Sequence, residues 1–324
     1  MSNDAKDSIV THLKFQLNYK FQGQNAPFLH AADAGYFADS GLTCEFLEGV
    51  SSSLVTRPIA EGNADLGFGD VSSVLEHSLR TGRTDILCVM PVYERSPCCL
   101  AYRGGGGKRA EYGLRLADLR GKTLAGPQGD TSARLLPLLL ERNGLAGMPY
   151  DLRTVTSEER DRLIAAGEVA AITCFDATLM FSMRSRGYDT GDLRFFYYAD
   201  NGLDIYSSAL LCSRAAAERD PGMLDALIRI VETAWRDCKR DPELGVRAAM
   251  ARSPSSDAAI VRGQLEWVLE HQAFPKGDEA MRFDVTGPKM QATLDCAVRT
   301  VGYRATVSPA GLPDRICVRR AGGS

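Results

Sequence analysis

The strongest constraint on this chain is a repeated alternation of short apolar runs with segments of helical length. Leu13–Tyr19 alternates with period two and reads as a strand. Pro27–Ala34 reads as a helix, with proline in its first turn and Gly35 as its stop. Leu42–Leu47 is a second strand, and Ser51–Ser53 caps a helix running through Ala60. Ala64–Gly69 is a third strand, ending in a loop at Asp70. Val71–Arg80 reads as a helix and Asp85–Pro91 as a fourth strand. Strands alternating with helices predict βαβ units and a largely parallel sheet, so the fold class is α/β.

A second cycle follows. Cys98–Tyr102 is a short apolar strand running into Arg103 and four glycines, Gly104–Gly107, which read as a flexible loop. Thr123–Ala125 is a strand, and the turn Gly126–Ser132 caps a helix over Ala133–Asn143. Glu158–Ala166 is helical, Ala170–Phe175 is a strand, and Asp176 starts the next helix. Phe195–Tyr198 is a strand, and the apolar segment Tyr206–Leu211 returns the chain to the first unit. Beyond Asp220 the reading is helical. Met223–Lys239 carries Leu224, Leu227, Ile228, Ile230, Val231 and Trp235 at helical spacing. Gly245–Met250, Ala258–Glu270 and Lys289–Val301 follow as shorter helices, and the tail after Gly302 has no clear period.

At 324 residues the chain suits two lobes. The expected division is residues 11–101 and 205–324 for the first lobe with its C-terminal helices, and 102–204 for the second. With 38 basic and 41 acidic residues, the near-balanced charge argues against nucleic acid as a partner. No apolar run is long enough for a transmembrane helix. The segment Met1–Ser8 is polar and lacks the apolar core of a secretory signal. The expectation is therefore a periplasmic protein whose export signal has been trimmed, or else a cytoplasmic one. Nine scattered cysteines are not a disulfide framework and read as small buried hydrophobes. The four histidines are far apart and no CxxC spacing occurs, so no metal site is expected.

Several segments, taken in order, resemble a known family. They are Leu17-Asn18-Tyr19, Ala26-Pro27-Phe28, Ala34-Gly35-Tyr36-Phe37 and Gly41-Leu42. Ile59–Gly67, Leu119–Lys122, Gly129–Ala133 and Gly167–Ala171 continue the pattern. Over roughly residues 13–240 the chain resembles the nitrate/sulfonate/thiamine-pyrimidine binding proteins, which include a eukaryotic thiamine-pyrimidine synthase and bacterial transport relatives. The resemblance implies a two-lobed periplasmic-binding-protein fold of type II, with two crossovers. It also implies capture of a small molecule for an ABC transporter permease, with membrane contact only through that transporter.

In open α/β sheets, ligands sit beyond the carboxyl ends of strands, against helix N-termini. Asn18 and Tyr19 end the first strand, and the turn-rich stretch after them contributes Asn25. Asp70, Ser72 and Ser73 follow the third strand. Gly129, Thr131 and Ser132 open a second-lobe helix, and Phe175 and Asp176 end a second-lobe strand. Tyr206 lies near the second crossover. These are the candidate ligand-binding residues. Helix N-termini supply unpaired N–H donors and partial positive charge, and the hydroxyls add donors for an oxyanion or a ring substituent. Each has a plainer reading. Thr131 and Ser132 serve equally as caps, worth about 1 kcal/mol. Asp70 and Asp176 serve as caps or as acceptors, and Tyr19 as a half-buried strand aromatic, although the resemblance places an aromatic here against the ligand. Aromatic walls with a few convergent polar groups suit a small aromatic or heteroaromatic solute.

The rival reading is the synthase branch. The resemblance implies pyridoxal phosphate held by a lysine, a histidine on the same helix and a cysteine cluster before the second crossover. At the matching segment Leu66–Ser73 there is neither lysine nor histidine, and His77 lies one turn further on. Asp200–Tyr206 contains no cysteine. No nucleophile elbow, Walker loop or HExxH motif occurs. No cofactor is expected and no catalytic residue is nominated. A third reading is a cytoplasmic sensor on the same fold. As a binder, the chain would close two lobes about hinges near Cys99–Tyr102 and Asp204–Ser208.

Overall fold

The structure is a computed structural model describing residues 10–105, 113–274 and 283–318. Met1–Ser8 and the glycines Gly106 and Gly107 lie outside the described residues. The strands are β1 (Thr11–Gln16), β2 (Leu42–Leu47), β3 (Leu66–Asp70), β4 (Ile86–Pro91) and β5 (Cys98–Arg103). They continue as β6 (Thr123–Pro127), β7 (Asp151–Val155), β8 (Ala171–Phe175), β9 (Leu193–Tyr197) and β10 (Ser208–Ser213). The helices that frame the first half are α1 (Ala26–Asp33), α2 (Thr56–Ala60), α3 (Val71–Thr81), α4 (Thr131–Arg142), α5 (Ser157–Ala165) and α6 (Asp176–Ser185). After β10 come α7 (Arg214–Arg219), α8 (Met223–Arg240), α9 (Pro242–Arg252), α10 (Ala258–Val268), α11 (Pro288–Val301) and α12 (Leu312–Ile316).

Two five-stranded sheets form two lobes, with orders β2-β1-β3-β10-β4 and β7-β6-β8-β5-β9. Each sheet follows the same plan. Its parallel strands are interrupted by one antiparallel strand that has come over from the other lobe: β10 in the first sheet, β5 in the second. Both visiting strands are flanked on two sides, so their apolar runs are almost wholly buried. The chain crosses between the lobes at residues 92–97 and 198–207. Cys99–Tyr102 is therefore not a hinge but the interior of β5. A run apolar on both faces is what an internal strand requires.

The core of the first lobe is built around Trp235 on α8, which is 0% exposed. Its ring meets Phe28 of α1 at 5.7 Å, Phe68 of β3 at 6.4 Å and Tyr93 of the first crossing at 6.2 Å, all edge-on. Edge-to-face geometry sets the ring quadrupoles favourably. The stripe Leu227, Ile228, Val231, Ala234, Trp235 and Cys238 explains the packing of α8: all six are buried, at helical spacing.

Several elements differ from the sequence expectation. β1 ends at Gln16, because Asn18 and Tyr19 turn off against Gly49, whose amide donates to the Tyr19 carbonyl at 2.9 Å. A Cβ at Gly49 would lie 2.0 Å from the Leu17 oxygen, so only glycine allows that approach. The expected helix over Ser51–Ala60 is instead one turn at Ser52–Leu54 and a short α2 carrying Pro58. β7 and α7 were not expected. β7 is an edge strand carrying Asp151 and Arg153, with no apolar alternation to announce it. The tail forms α12, and Val318 then donates to the Cys88 carbonyl at 2.9 Å on β4.

Trp235→Ala should cost about 3–5 kcal/mol, measured as a fall in urea midpoint with an unchanged slope. A loss below about 1 kcal/mol would show that the aromatic cluster is not the centre of the first core.

Candidate functional site

The carboxyl ends of β1, β2, β6 and β8 converge between the lobes, and with them the N-termini of α4, α5 and α6. There they enclose a cavity of about 100 Å³. The first lobe supplies Asn18, Tyr19, Gln24, Val50, Ser51 and Ser52. The second supplies residues 127–131, then Ser157 and Arg160 of α5, Cys174 and Phe175 at the end of β8, and Thr178 of α6. An outer chamber of about 410 Å³ shares Tyr19, Ser157, Arg160 and Thr178 with it. These four residues form the threshold between the two.

Arg160 dominates the electrostatics. It is only 2% exposed. Its Nε and Nη2 donate to one oxygen of Asp161, at 2.8 and 2.7 Å. The other oxygen of Asp161 accepts from Arg186 at 2.9 Å and from Ser182. One buried carboxylate thus serves two guanidinium groups, while Arg186 also reaches Glu158 at 3.8 Å and the Arg160 charge acts on the Asp130 carboxyl as well. Among the described residues, no hydrogen bond engages Arg160 Nη1. The one carboxylate on the inner wall is Asp130. It caps α4, accepting from the Ser132 and Ala133 amides at 3.1 Å. Burial pushes its pKa up, and the capping amides pull the other way. The tyrosine and phenylalanine rings of Tyr19 and Phe175 supply the apolar surface.

Of the residues singled out from sequence, Asn18, Tyr19, Gly129, Thr131 and Phe175 line this cavity. Others form a hydrogen-bonded seam between the lobes. Thr131 Oγ1 donates to Asp70, which is 1% exposed, and Ser207 also points at Asp70 at 3.4 Å. Arg134 of α4 donates to Glu76 and, at 3.1 Å, to Ser72 of α3. Ser53 donates to the Gly129 carbonyl at 2.9 Å. Burial pushes the Glu76 carboxyl up, against the pull of Arg134 and Arg80.

The remaining candidates sit elsewhere. Ser132 donates to the Cys174 carbonyl at 2.7 Å inside the second lobe. Asn25 is fully buried and donates to the Lys20 carbonyl at 2.9 Å. Ser73 lines a separate groove along α3. Tyr206 accepts from the Asp284 amide at 2.8 Å and packs on Phe283. Asp176 is 0% exposed and accepts four hydrogen bonds. Tyr197 and Trp267 donate to it at 2.8 Å, its own helix donates the Ala177 amide at 2.7 Å, and Gln272 completes the set. Burial raises its pKa, and the Trp267 and Tyr197 hydrogen bonds oppose that rise. Its oxygens face the protein, tying α6 of the second lobe to α10 and to the chain segment after it.

Sequence reasoning did not nominate Gln24, Gln128, Asp130, Ser157, Arg160 or Thr178, all of which line the cavity. Arg160 lies in an acidic, arginine-rich stretch that reads as a solvated helix. Recognising β7 would have placed the N-terminus of α5 at the carboxyl end of a strand, and Arg160 one turn into it.

The family model described as NMT1/THI5 like matches residues 22–244. No curated protein matches the sequence. Among solved structures, the periplasmic aliphatic sulphonate binding protein SsuA from Escherichia coli superposes with a TM-score of 0.71 at 15% identity, covering 97% of this chain and 94% of that one. The alkanesulfonate-binding protein SsuA from Xanthomonas axonopodis pv. citri, bound to MOPS, gives 0.68 at 18% identity, covering 96% and 99%. The desulfurization enzyme DszB gives 0.58 at 13% identity, covering 93% and 95%. The fold is that of a type II periplasmic binding protein, with two α/β lobes and two crossings. Binding proteins and an enzyme share it, so the side chains of the cleft must decide the function.

Asp176→Ala leaves the Trp267 indole, the Tyr197 hydroxyl and the Gln272 amide without their acceptor. It should cost about 3–5 kcal/mol in urea unfolding. A double-mutant cycle with Trp267→Phe should show coupling of roughly 0.5–3 kcal/mol, and additive losses would exclude the link.

Proposed function

The chain belongs to the NMT1/THI5-like family, and from that membership we propose that it is a solute-binding protein that captures a small organic anion between its lobes for ABC-type import. The observation that carries this reading is Arg160, buried on the wall of the inter-lobe cavity with one nitrogen uncommitted. Burying a guanidinium is costly unless its charge is met; Asp161 meets that of Arg160 through two nitrogens, and the remaining one is free to donate to a ligand. The N-terminus of α5 adds partial positive charge on the same side, that of α4 being capped by the Asp130 carboxylate. A sulfonate, carboxylate or phosphate group would complete this set. One structural neighbour is an aliphatic sulphonate binding protein and another is an alkanesulfonate-binding protein bound to MOPS, which agrees with an oxyanion head group here.

Tyr19 and Phe175 suit an aromatic or heteroaromatic body attached to that head. Asn18, Gly129, Thr131, Gln24 and Gln128 are the polar contacts we assign around it. Closure about residues 92–97 and 198–207 would bring both walls onto the ligand. The closed form would present its surface to a permease, and a periplasmic location fits that role.

The enzyme readings lack their groups. No lysine and no histidine lines either chamber among the described residues, so a Schiff base has no amine to form on. Cys174 is the one cysteine on the wall, and its sulfur lies 3.6 Å from that of buried Cys99. The two SsuA proteins that share the fold are binding proteins.

Titration calorimetry with aryl sulfonates, alkyl sulfonates, aromatic carboxylates and neutral pyrimidines tests the reading. An anionic solute should bind and be recovered unchanged, and Arg160→Gln should weaken it roughly tenfold or more. Equal affinity in the Arg160→Gln variant, or binding confined to neutral pyrimidines, would remove the anion assignment. An imine absorbance with pyridoxal phosphate would return the chain to the enzymes.

A further inference from the structure

Lys289, in the first turn of α11, touches both crossings between the lobes. Its Nζ donates to the Glu94 carbonyl in the first crossing and pairs with Asp204 at 3.0 Å in the second. The same ammonium lies 5.3 Å from the centre of the Tyr206 ring, also in the second crossing. The side chain is 19% exposed, so its charge has given up most of its water. A carbonyl, a carboxylate and a ring face meet that charge instead.

The helix that carries Lys289 is seated in both lobes. Met290, Leu294, Ala297 and Val301 recur at helical spacing and pack with α3 in the first-lobe core. Ala292 and Cys296 lie on another face, in the second-lobe core. Two ion pairs, Asp295 with Arg142 at 3.4 Å and Arg299 with Glu141, join α11 to α4. Tyr206 is gripped by the same region. Thr293 accepts its amide at 2.9 Å, the Asp284 amide donates to its hydroxyl at 2.8 Å, and Phe283 packs on its ring. Thr293 donates in turn to the Lys289 carbonyl at 2.7 Å.

Opening a two-lobed cleft reorients the crossings relative to each other. An ammonium bonded to one atom in each keeps both contacts in one arrangement only. Arg95 and Asp200 also join the crossings, at 2.6 Å, but that pair involves the crossings alone. Lys289 refers them both to a third body, α11. We infer that Lys289 is a positioning residue of the hinge: by tying Glu94 and Asp204 to α11 it holds the crossings in the closed arrangement, and so raises ligand affinity from outside the cleft. It lines neither chamber, so it acts through the lobes and not on the solute. The gain in affinity rests on the solute-binding reading, whereas the hold on the crossings does not.

The test begins without ligand. The full chain, as wild type and as Lys289→Met, is compared by small-angle X-ray scattering and by amide hydrogen exchange. Lys289→Met should have the larger radius of gyration and faster exchange at the seam, residues 127–134, with β3 and β8 as protected as before. That contrast separates a hinge effect from a general loss of stability. Lys289→Arg keeps a cation able to donate to both crossings and should restore the seam. Asp204→Asn, at a half-exposed position, should open it in the same direction and to a smaller extent. Titration with benzenesulfonate reads the coupling: its affinity should fall roughly threefold or more in Lys289→Met and recover in Lys289→Arg. A wild-type chain that does not take benzenesulfonate counts against the anion assignment of the cleft alone, and the ligand-free measurements still decide the hinge. Equal radius and equal seam exchange in wild type and Lys289→Met would overturn the proposal. So would an opening that Lys289→Arg leaves unreversed, or an equal loss of protection in β3 and β8, which would make Lys289 a stabilising contact only.

Discussion

The arrangement of the two lobes depends on one carboxylate that water does not reach. Asp176 sits where β8 hands over to α6, and four donors converge on it from separate parts of the chain. Gln272, one of those donors, also accepts the amides of Glu94 and Arg95 through its carbonyl, at 2.8 and 3.0 Å. The first crossing is thereby fixed to the same node. Arg95 lies 4.0 Å over the ring of Tyr197, a second donor, and pairs with Asp200 near the second crossing. Both crossings, the second sheet and the C-terminal helices thus meet around one buried acid. A Cβ at Gly263 would lie 2.4 Å from Phe181, so the close docking of α10 on α6 that places Trp267 needs glycine there.

With that node fixed, the cleft follows from topology. Two sheets of the same strand order face each other by their carboxyl ends, and the N-termini of α4, α5 and α6 line the second-lobe wall. Arg160 stands on that wall, held by one oxygen of Asp161, while Arg186 draws on the other and also reaches Glu158 at 3.8 Å. The proposed anion would take the one nitrogen of Arg160 left over, with Tyr19 and Phe175 setting the shape around it.

Much of the fold could be read from sequence because its internal strands are apolar on both faces. Residues 86–91, 98–102 and 209–212 stand out as unbroken apolar runs between polar positions. The edge strand β7, with Asp151 and Arg153 outward, carries no such signal. The same blindness reached the site. Tyr19, Thr131 and Phe175 could be placed because they follow recognisable strands, whereas Arg160 sits behind the unrecognised one. Asp176 shows a different limit. Its position after a strand marks it as cleft-facing in sequence, but the donors that turn it inward come from Trp267 and Gln272, about a hundred residues away in the chain. A strand-end position tells where the backbone goes, not which groups arrive from elsewhere.

The seam between the lobes sets how a ligand can act. Asp70 with Thr131, Glu76 with Arg134 and Gly129 with Ser53 join the walls through protein groups alone. The closed arrangement therefore has an intrinsic stability, and a ligand can shift the open–closed balance only by what it gains in one state and not the other. On the proposed reading an anion would have such a gain at Arg160, whose Nη1 has no acceptor among the described residues. That nitrogen would donate to water in an open cleft, and closure would strand it unless the ligand offered an oxygen. A neutral solute without an acceptor would fill the cavity and leave the donor unmet. Closure would then be coupled to the head group of the ligand more than to its body, and the aromatic walls would choose among anions rather than drive the lobes together.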